Sequence, residues 1–216
     1  MMTLSTGAAA VAAVTLAGLL GMAEYRASAA LRWLFKPATS VLFVVAGLGR
    51  GPQGPFDWLV IAGLALGLVG DVALIPASDA WFLAGLAAFL CAHLAYAAAF
   101  LAPAGLSGVD PRFAGLAVAA AGGFVVYFRP YLGRMLWPVI AYVAAITLMV
   151  TTAWSLGASV SAATAGRAAA GATLFYLSDI AVARDRFLPG TGYTNRAAGL
   201  ALYYAGQFLL AFSIGA

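Results

Sequence analysis

Residues 58–75 read WLVIAGLALGLVGDVALI, an apolar run of membrane-spanning length that carries one charge, Asp71, near its end. A helix takes about 20 such residues to cross the hydrocarbon core. The run is rich in Leu, Ala and Gly and lacks the period-two alternation of a barrel wall. Taken from 57 to 75, it is one of eight similar segments, the others at roughly 4–23, 30–49, 80–102, 111–129, 134–156, 161–183 and 195–215. The expected fold is all-α, an integral membrane bundle of eight transmembrane helices. The connecting loops are too short to hold a soluble domain, so residues 1–216 are expected to form a single transmembrane domain.

Composition agrees. With 64% hydrophobic and 8% charged residues, the chain lacks the roughly one-quarter charged content of a water-soluble globule. The net charge of +4 comes from eleven scattered basic residues, with no run that suggests a nucleic-acid surface. One cysteine, Cys91, excludes a disulfide framework and a multi-thiolate metal site, and it reads as a packing residue. Ala27-Ser28-Ala29 resembles a signal-peptide cleavage site, but residues 1–23 hold no Lys or Arg, so the first segment is expected to stay as a helix.

Loop charge sets the expected orientation. Arg26, Arg32, Arg129, Arg134, Arg184, Arg186 and Arg196 fall on one side, against Arg50, Arg112 and Arg167 on the other. The arginine-rich side is expected in the cytoplasm, with both termini opposite.

The chain also reads as a unit repeated twice, with halves of about 1–105 and 106–216. The third span ends Gly70-Asp71-Val72-Ala73 and the seventh ends Ser178-Asp179-Ile180-Ala181. The following spans share Ala84-Gly85-Leu86 and Ala198-Gly199-Leu200, with His93 and Gln207 each nine residues beyond the alanine. Leu34-Phe35-Lys36-Pro37 pairs more weakly with Met135-Leu136-Trp137-Pro138. Four helices per unit give a parallel 4+4 repeat about an axis along the membrane normal, with Asp71 and Asp179 facing one cleft.

Ionisable groups at membrane depth are costly and are kept where a polar interior uses them. Only seven residues are acidic, and two of them lie inside apolar runs. Counting along the helices puts Asp71, Asp179 and Lys36 roughly 6–9 Å from the cytoplasmic ends, and His93 and Gln207 roughly 10 Å deeper, with Tyr203 and Tyr204 between. Lys36 is expected to snorkel to the headgroups, or to pair with an aspartate or a lipid phosphate, and Pro37 to open its helix locally. Both aspartates sit near helix C-termini, where the macrodipole disfavours negative charge, and a carboxyl that keeps its proton is what a general acid requires. A zinc site of His93 and the two aspartates offers one nitrogen ligand and the wrong depths, so no metal or cofactor is expected. Tyr96 reads as packing and Gln207 as a hydrogen-bond partner. Ser178 has no base or elbow that would make it a nucleophile. Gly63 and Gly67 suit close helix packing.

Taken in order, Lys36-Pro37, Gly70-Asp71, Phe82-x-x-Gly85-x-x-x-Phe89-x-x-x-His93-x-x-Tyr96, Ser178-Asp179 and Tyr204-x-x-Gln207 resemble the YhhN (lysoplasmalogenase) family of polytopic membrane enzymes over nearly the whole chain. The resemblance implies hydrolysis of the vinyl ether bond of lysoplasmalogens to a fatty aldehyde and a glycerophospho-base, in the inner membrane, at a site open to the cytoplasm. It implies a lysophospholipid substrate and membrane lipids as partners. Asp71, Asp179 and His93 are then the expected catalytic residues, and Lys36, Tyr96, Ser178, Tyr204 and Gln207 the expected substrate contacts. A vinyl ether hydrolyses through protonation at its β-carbon, a task a carboxyl pair suits, as in glycosidases. Three rival readings stay open: a proton-coupled transporter, whose site would sit nearer the midplane, an intramembrane aspartyl protease, and a non-catalytic lipid-binding protein.

Overall fold

A computed structural model describes residues 28–215 together with residues 15, 18, 21, 22, 25 and 26. The first expected span lies otherwise outside the described residues, as does Ala27 of the cleavage-like triplet. Seven long helices follow: α1 Ala29–Leu48, α2 Pro55–Ala73, α3 Asp79–Leu101, α4 Pro111–Leu132, α5 Leu136–Ser155, α6 Ala162–Phe187 and α7 Tyr193–Phe212. Three short 3-10 turns lie between them, and no strand occurs among the described residues. The all-helical expectation holds.

Local chemistry starts and stops these helices. Ser28, Ser78 and Ser161 cap α1, α3 and α6, each hydroxyl accepting from the backbone N–H three residues on. Asp110 caps α4 by accepting from Arg112 N. Proline opens α2 and α4 at a first-turn position, where its missing N–H costs nothing. Pro37 lies inside α1, which runs through it unbroken. Thr39 and Ser40 donate back to the carbonyls of Phe35 and Lys36, at 2.7 and 2.9 Å, so hydroxyls satisfy backbone oxygens around the proline.

Four helical stretches are long and apolar enough to cross a membrane: Ala29–Leu48, Pro55–Ala73, Asp79–Leu101 and Pro111–Ser155. The last holds both α4 and α5, which reverse at Gly133, where φ is +49°. Helices α6 and α7 are as long but more polar. All five tryptophans, Trp33, Trp58, Trp81, Trp137 and Trp154, lie 46–74% exposed within a turn or so of a helix end. Such girdles form where a bilayer meets water.

Packing places the core between α1, α2, α3, α5, α6 and α7. The closest pairs are α2 with α3 and α6 with α7, followed by α3 with α5, α1 with α2 and α7, and α5 with α6. Helix α4 is peripheral: it buries only Phe128 and Leu132, against α5. Glycines set the closest approaches. A Cβ at Gly206 would stand 2.9 Å from the Gly171 carbonyl oxygen, and one at Gly63 would enter the ring of Tyr96. Gly67 faces Gln207 and Tyr203 of α7, so Gly63 and Gly67 admit close approaches from two different helices.

Backbone cannot give way as a flexible side chain can, so Gly206→Ala should cost about 1–3 kcal/mol. The expected readout is a lower melting midpoint in detergent. Gly122→Ala on α4, where an added Cβ meets nothing within 4 Å, is the comparison and should be neutral or slightly stabilising. Equal midpoints for the two variants would contradict the packing described for α6 and α7.

Candidate active site

Asp71 sits near the C-terminal end of α2 and is 2% exposed. A carboxylate so placed needs donors on its oxygens, and two neighbouring helices supply them. From α1, Ser40 Oγ lies 2.6 Å from Oδ2 and Lys36 Nζ lies 3.4 Å from Oδ1. From α7, the Tyr203 hydroxyl donates to Oδ2 at 2.6 Å. Tyr203 accepts in turn from Gln207 Nε2 at 3.1 Å, and Gln207 Oε1 accepts from the Tyr96 hydroxyl at 2.7 Å. The chain of donors therefore runs one way, from Tyr96 through Gln207 and Tyr203 to Asp71.

Asp179 on α6 has a second, separate set of partners. The Tyr142 hydroxyl from α5 lies 2.7 Å from Oδ2 and 2.9 Å from Nε2 of His93 on α3. His93 Nε2 is itself 3.5 Å from Asp179 Oδ2. The imidazole is fully buried, and its Nδ1 has no hydrogen-bond partner among the described residues. A bare buried acceptor is better tolerated than a bare donor. We therefore assign the hydrogen of neutral His93 to Nε2, which donates to Tyr142, which donates to Asp179.

Phe89 and Phe175 separate the two sets. Phe175 stacks edge-on with His93 at 4.8 Å and with Tyr203 at 5.1 Å between centroids, and Phe89 meets both Phe175 and Tyr203 at 5.8 Å. In front of them lies a cavity of about 410 Å³. Both aspartates line it, although they share no hydrogen bond among the described residues. Its walls are largely apolar, with Leu74, Leu86, Val139 and Ile146 among them. It reaches the face of the bundle where α1, α3, α5 and α7 begin, beside Arg32, Arg186 and Arg196.

Of the expected site residues, Asp71, Asp179, Lys36 and Ser178 line the cavity. The Ser178 hydroxyl, however, donates to the Phe175 carbonyl at 2.7 Å. His93, Tyr96, Tyr204 and Gln207 are buried behind the lining. Lys36 pairs with Asp71 rather than reaching outward, and Tyr204 lies with its hydroxyl 3.5 Å from the Lys36 carbonyl. The expected 10 Å gap in depth between His93 and the aspartates is absent for Asp179. Helix α6 runs to Phe187, past its expected end, so Asp179 lies about 12 Å from the helix terminus rather than 6 Å. Side chains also lean toward the N-terminus of their own helix. The antiparallel His93 and Asp179 therefore lean toward each other.

Three site residues escaped the sequence reading as site residues: Ser40, Tyr142 and Tyr203. Ser40 lies four residues after Lys36 and Tyr203 four before Gln207, a helical spacing that marks both. Tyr142 has only Pro138, Val139, Ala145 and Ile146 at such spacings, so nothing in its own helix marks it.

Apolar helices, a tryptophan girdle and buried carboxylates on one apolar-walled cavity define a polytopic helical membrane protein with an internal polar site. The chain belongs to the YhhN family, whose model matches residues 31–214. It is 35% identical over 178 residues to the lysoplasmalogenase TMEM86A of Bos taurus, covering 80% of this chain and 72% of that one. It is 30% identical over 193 residues to the uncharacterized membrane protein YhhN of Escherichia coli O6:H1, covering 89% and 91%. A lysoplasmalogenase of Mycobacterium bovis is 32% identical over 182 residues, covering 77% of this chain and 64% of its own. No solved structure matches the chain.

Tyr142 is the bridge between His93 and Asp179, so Tyr142→Phe strands a buried donor and should destabilise the protein by about 1–3 kcal/mol. Tyr127→Phe, on an exposed ring of α4, should leave the melting midpoint unchanged. If the two variants melt alike, the bridge contributes nothing to the folded state.

Proposed function

We propose that this protein is a membrane hydrolase that cleaves the vinyl ether bond of lysoplasmalogens, releasing a fatty aldehyde and glycerophosphoethanolamine or glycerophosphocholine. The observation that carries the reading is the opening of two carboxyl groups, each held by a tyrosyl hydroxyl, onto one apolar-walled cavity. Relatives named lysoplasmalogenase at 32–35% identity support the same activity.

The two environments suit different roles. Asp71 is buried against Lys36 and accepts from Tyr203, a cation and a donor to meet the anion that this reading places there. Asp179, with a side chain 19% exposed on the cavity, is placed to exchange a proton with water and with substrate, and is the general acid. Its proton adds to the vinyl β-carbon, drawing on the double-bond electrons and leaving an oxocarbenium ion at the α-carbon. The Asp71 carboxylate stabilises that charge. Water adds to the α-carbon, and its proton returns to Asp179. The hemiacetal passes its hydroxyl proton to the ether oxygen as the carbon–oxygen bond breaks, giving aldehyde and alcohol. The Tyr142 hydroxyl, between Asp179 and His93, gives the acid a route for its proton. His93, Tyr96, Tyr204 and Gln207 orient these groups from behind, and Ser178 shapes the wall.

The same reading includes eight spans in the inner membrane, both termini outside the cytoplasm, and a 4+4 repeat. The contacts between helices support the repeat. The α2–α3 pair is matched by α6–α7, α1–α2 by α5–α6, and α3–α5 by α7–α1. A Cβ at Gly85 would meet the Gly70 carbonyl at 3.4 Å, and one at Gly199 the Ser178 carbonyl at 3.7 Å, in each case the residue just before the aspartate. Asp71 is reached from α1 and α7, and Asp179 from the corresponding α5 and α3.

Purified protein given lysoplasmalogen in detergent should release aldehyde. Asp71→Asn and Asp179→Asn should each lower turnover by about 10²–10⁴-fold while the protein stays folded. One protonated and one ionised carboxyl require a bell-shaped pH profile. In D₂O the carbon next to the new aldehyde must carry deuterium, and vinyl ether cleavage without it would falsify carbon protonation.

Orientation has its own test. In a Cys91→Ala background, a cysteine placed at Gly190, between α6 and α7, should resist an impermeant thiol reagent added to intact cells. Strong external labelling would reverse the topology.

A further inference from the structure

Three guanidiniums line the cavity without a part in the chemistry above: Arg32, Arg186 and Arg196. Two of them stand in a set relation to the carboxylates. Arg186 follows Asp179 by seven residues on α6. Arg196 precedes Tyr203, the donor to Asp71, by seven residues on α7. Seven residues make almost two full turns, so each pair shares a helix face with about 10 Å between levels. The side chain of Arg186 reaches across to the start of α3 and lines the cavity there.

Both guanidiniums are held by carboxylates, and one of these, Asp185, lies on the cavity lining beside them. Arg186 donates to Asp79 at the start of α3 and lies 4.6 Å above the ring of Phe82. Arg196 Nη1 donates to Asp185 at 3.3 Å. A guanidinium has five N–H donors in a rigid fork, so the Asp79 oxygen uses only part of those of Arg186. Lys36, also on the lining, is held by Asp71 seven residues into α1, whereas Arg186 lies one residue from the end of α6 and Arg196 three from the start of α7. An anionic group entering from the open face therefore meets Arg186 and Arg196 before the lysine.

We propose that Arg186 and Arg196 form a subsite for the phosphodiester of a single-chain glycerophospholipid, and that its distance from the carboxylates acts as a ruler. In such a lipid seven covalent bonds separate phosphorus from the vinyl β-carbon, about 9 Å when extended. A phosphate held at the arginine level thus brings the linkage at the first glycerol carbon to the level of Asp179 and Asp71. Placing the vinyl ether there rests on the proposed hydrolase activity, whereas the phosphate subsite does not.

The test uses uncleavable probes, so it reads binding whether or not the protein is a hydrolase. Binding of a saturated 1-O-alkyl lysophosphatidylcholine and of the matching 1-O-alkylglycerol is measured on purified protein in detergent. The wild type should prefer the phosphate-bearing probe. Arg186→Gln and Arg196→Gln should each reduce that preference by about 10- to 100-fold, the share of a charge-assisted contact. Arg186→Lys, which keeps the charge and loses the fork, should fall between. The phosphate-free probe reports folding in every variant. An unchanged preference, whether both affinities fall together or neither does, overturns the subsite. Glycerophosphocholine should compete only at much higher concentration than the lipid probe, and equal competition would make this a site for soluble phosphodiesters and overturn the ruler. Intact phosphate preference without aldehyde release from lysoplasmalogen would sink the hydrolase reading and leave the subsite standing.

Discussion

The structure depends on one constraint: a carboxylate shut away from water must be met by donors that the fold itself supplies. Asp71 is the sharpest instance. Its partners come from α1 and α7, which meet there because Lys36, Ser40 and Tyr203 converge on it. Taking one partner away leaves a buried charge uncompensated, a far larger penalty than the loss of one surface contact. The polar cluster thus fixes how α1, α2 and α7 dock, in a setting where lipid gives no hydrophobic preference for one apolar face over another.

Around that cluster the packing is dry. Phe43, Phe89, Phe175 and Tyr203 interlock edge to face, a geometry that suits the charge distribution of the rings. Glycines let backbones close in where side chains would hold them apart, most tightly at Gly171 and Gly206. The same small residues shape the site. Gly67 leaves room for the Gln207 amide that donates to Tyr203, and Gly70 leaves room for the Phe89 ring. Stability and site geometry are therefore set by the same contacts.

The two aspartates line one cavity and have unlike surroundings. One has a lysine, a serine and a donor chain that ends in Tyr96. The other has a tyrosine backed by a histidine and a side chain partly open to the cavity. Different helices supply these partners, α1 and α7 for Asp71 and α3 and α5 for Asp179, so the two carboxyls on one cavity meet unlike chemistry.

The sequence by itself determined the helical membrane architecture, because unbroken apolar runs can satisfy their backbone in lipid only as helices. It also singled out Asp71, Asp179, Lys36, His93 and Gln207, since polar groups stand out in an apolar chain. Tertiary structure alone decided who meets whom. A helix that is apolar nearly all round, as α5 is, carries little periodic signal for which face turns inward, so Tyr142 looked like any other tyrosine. Rise counted along separate helices also missed the contact of His93 with Asp179, which arises from antiparallel side chains leaning toward one another and from the added length of α6. Lys36 could have turned to the headgroups or inward. The buried carboxylate of Asp71, which needs a cation more than the surface does, settled it inward.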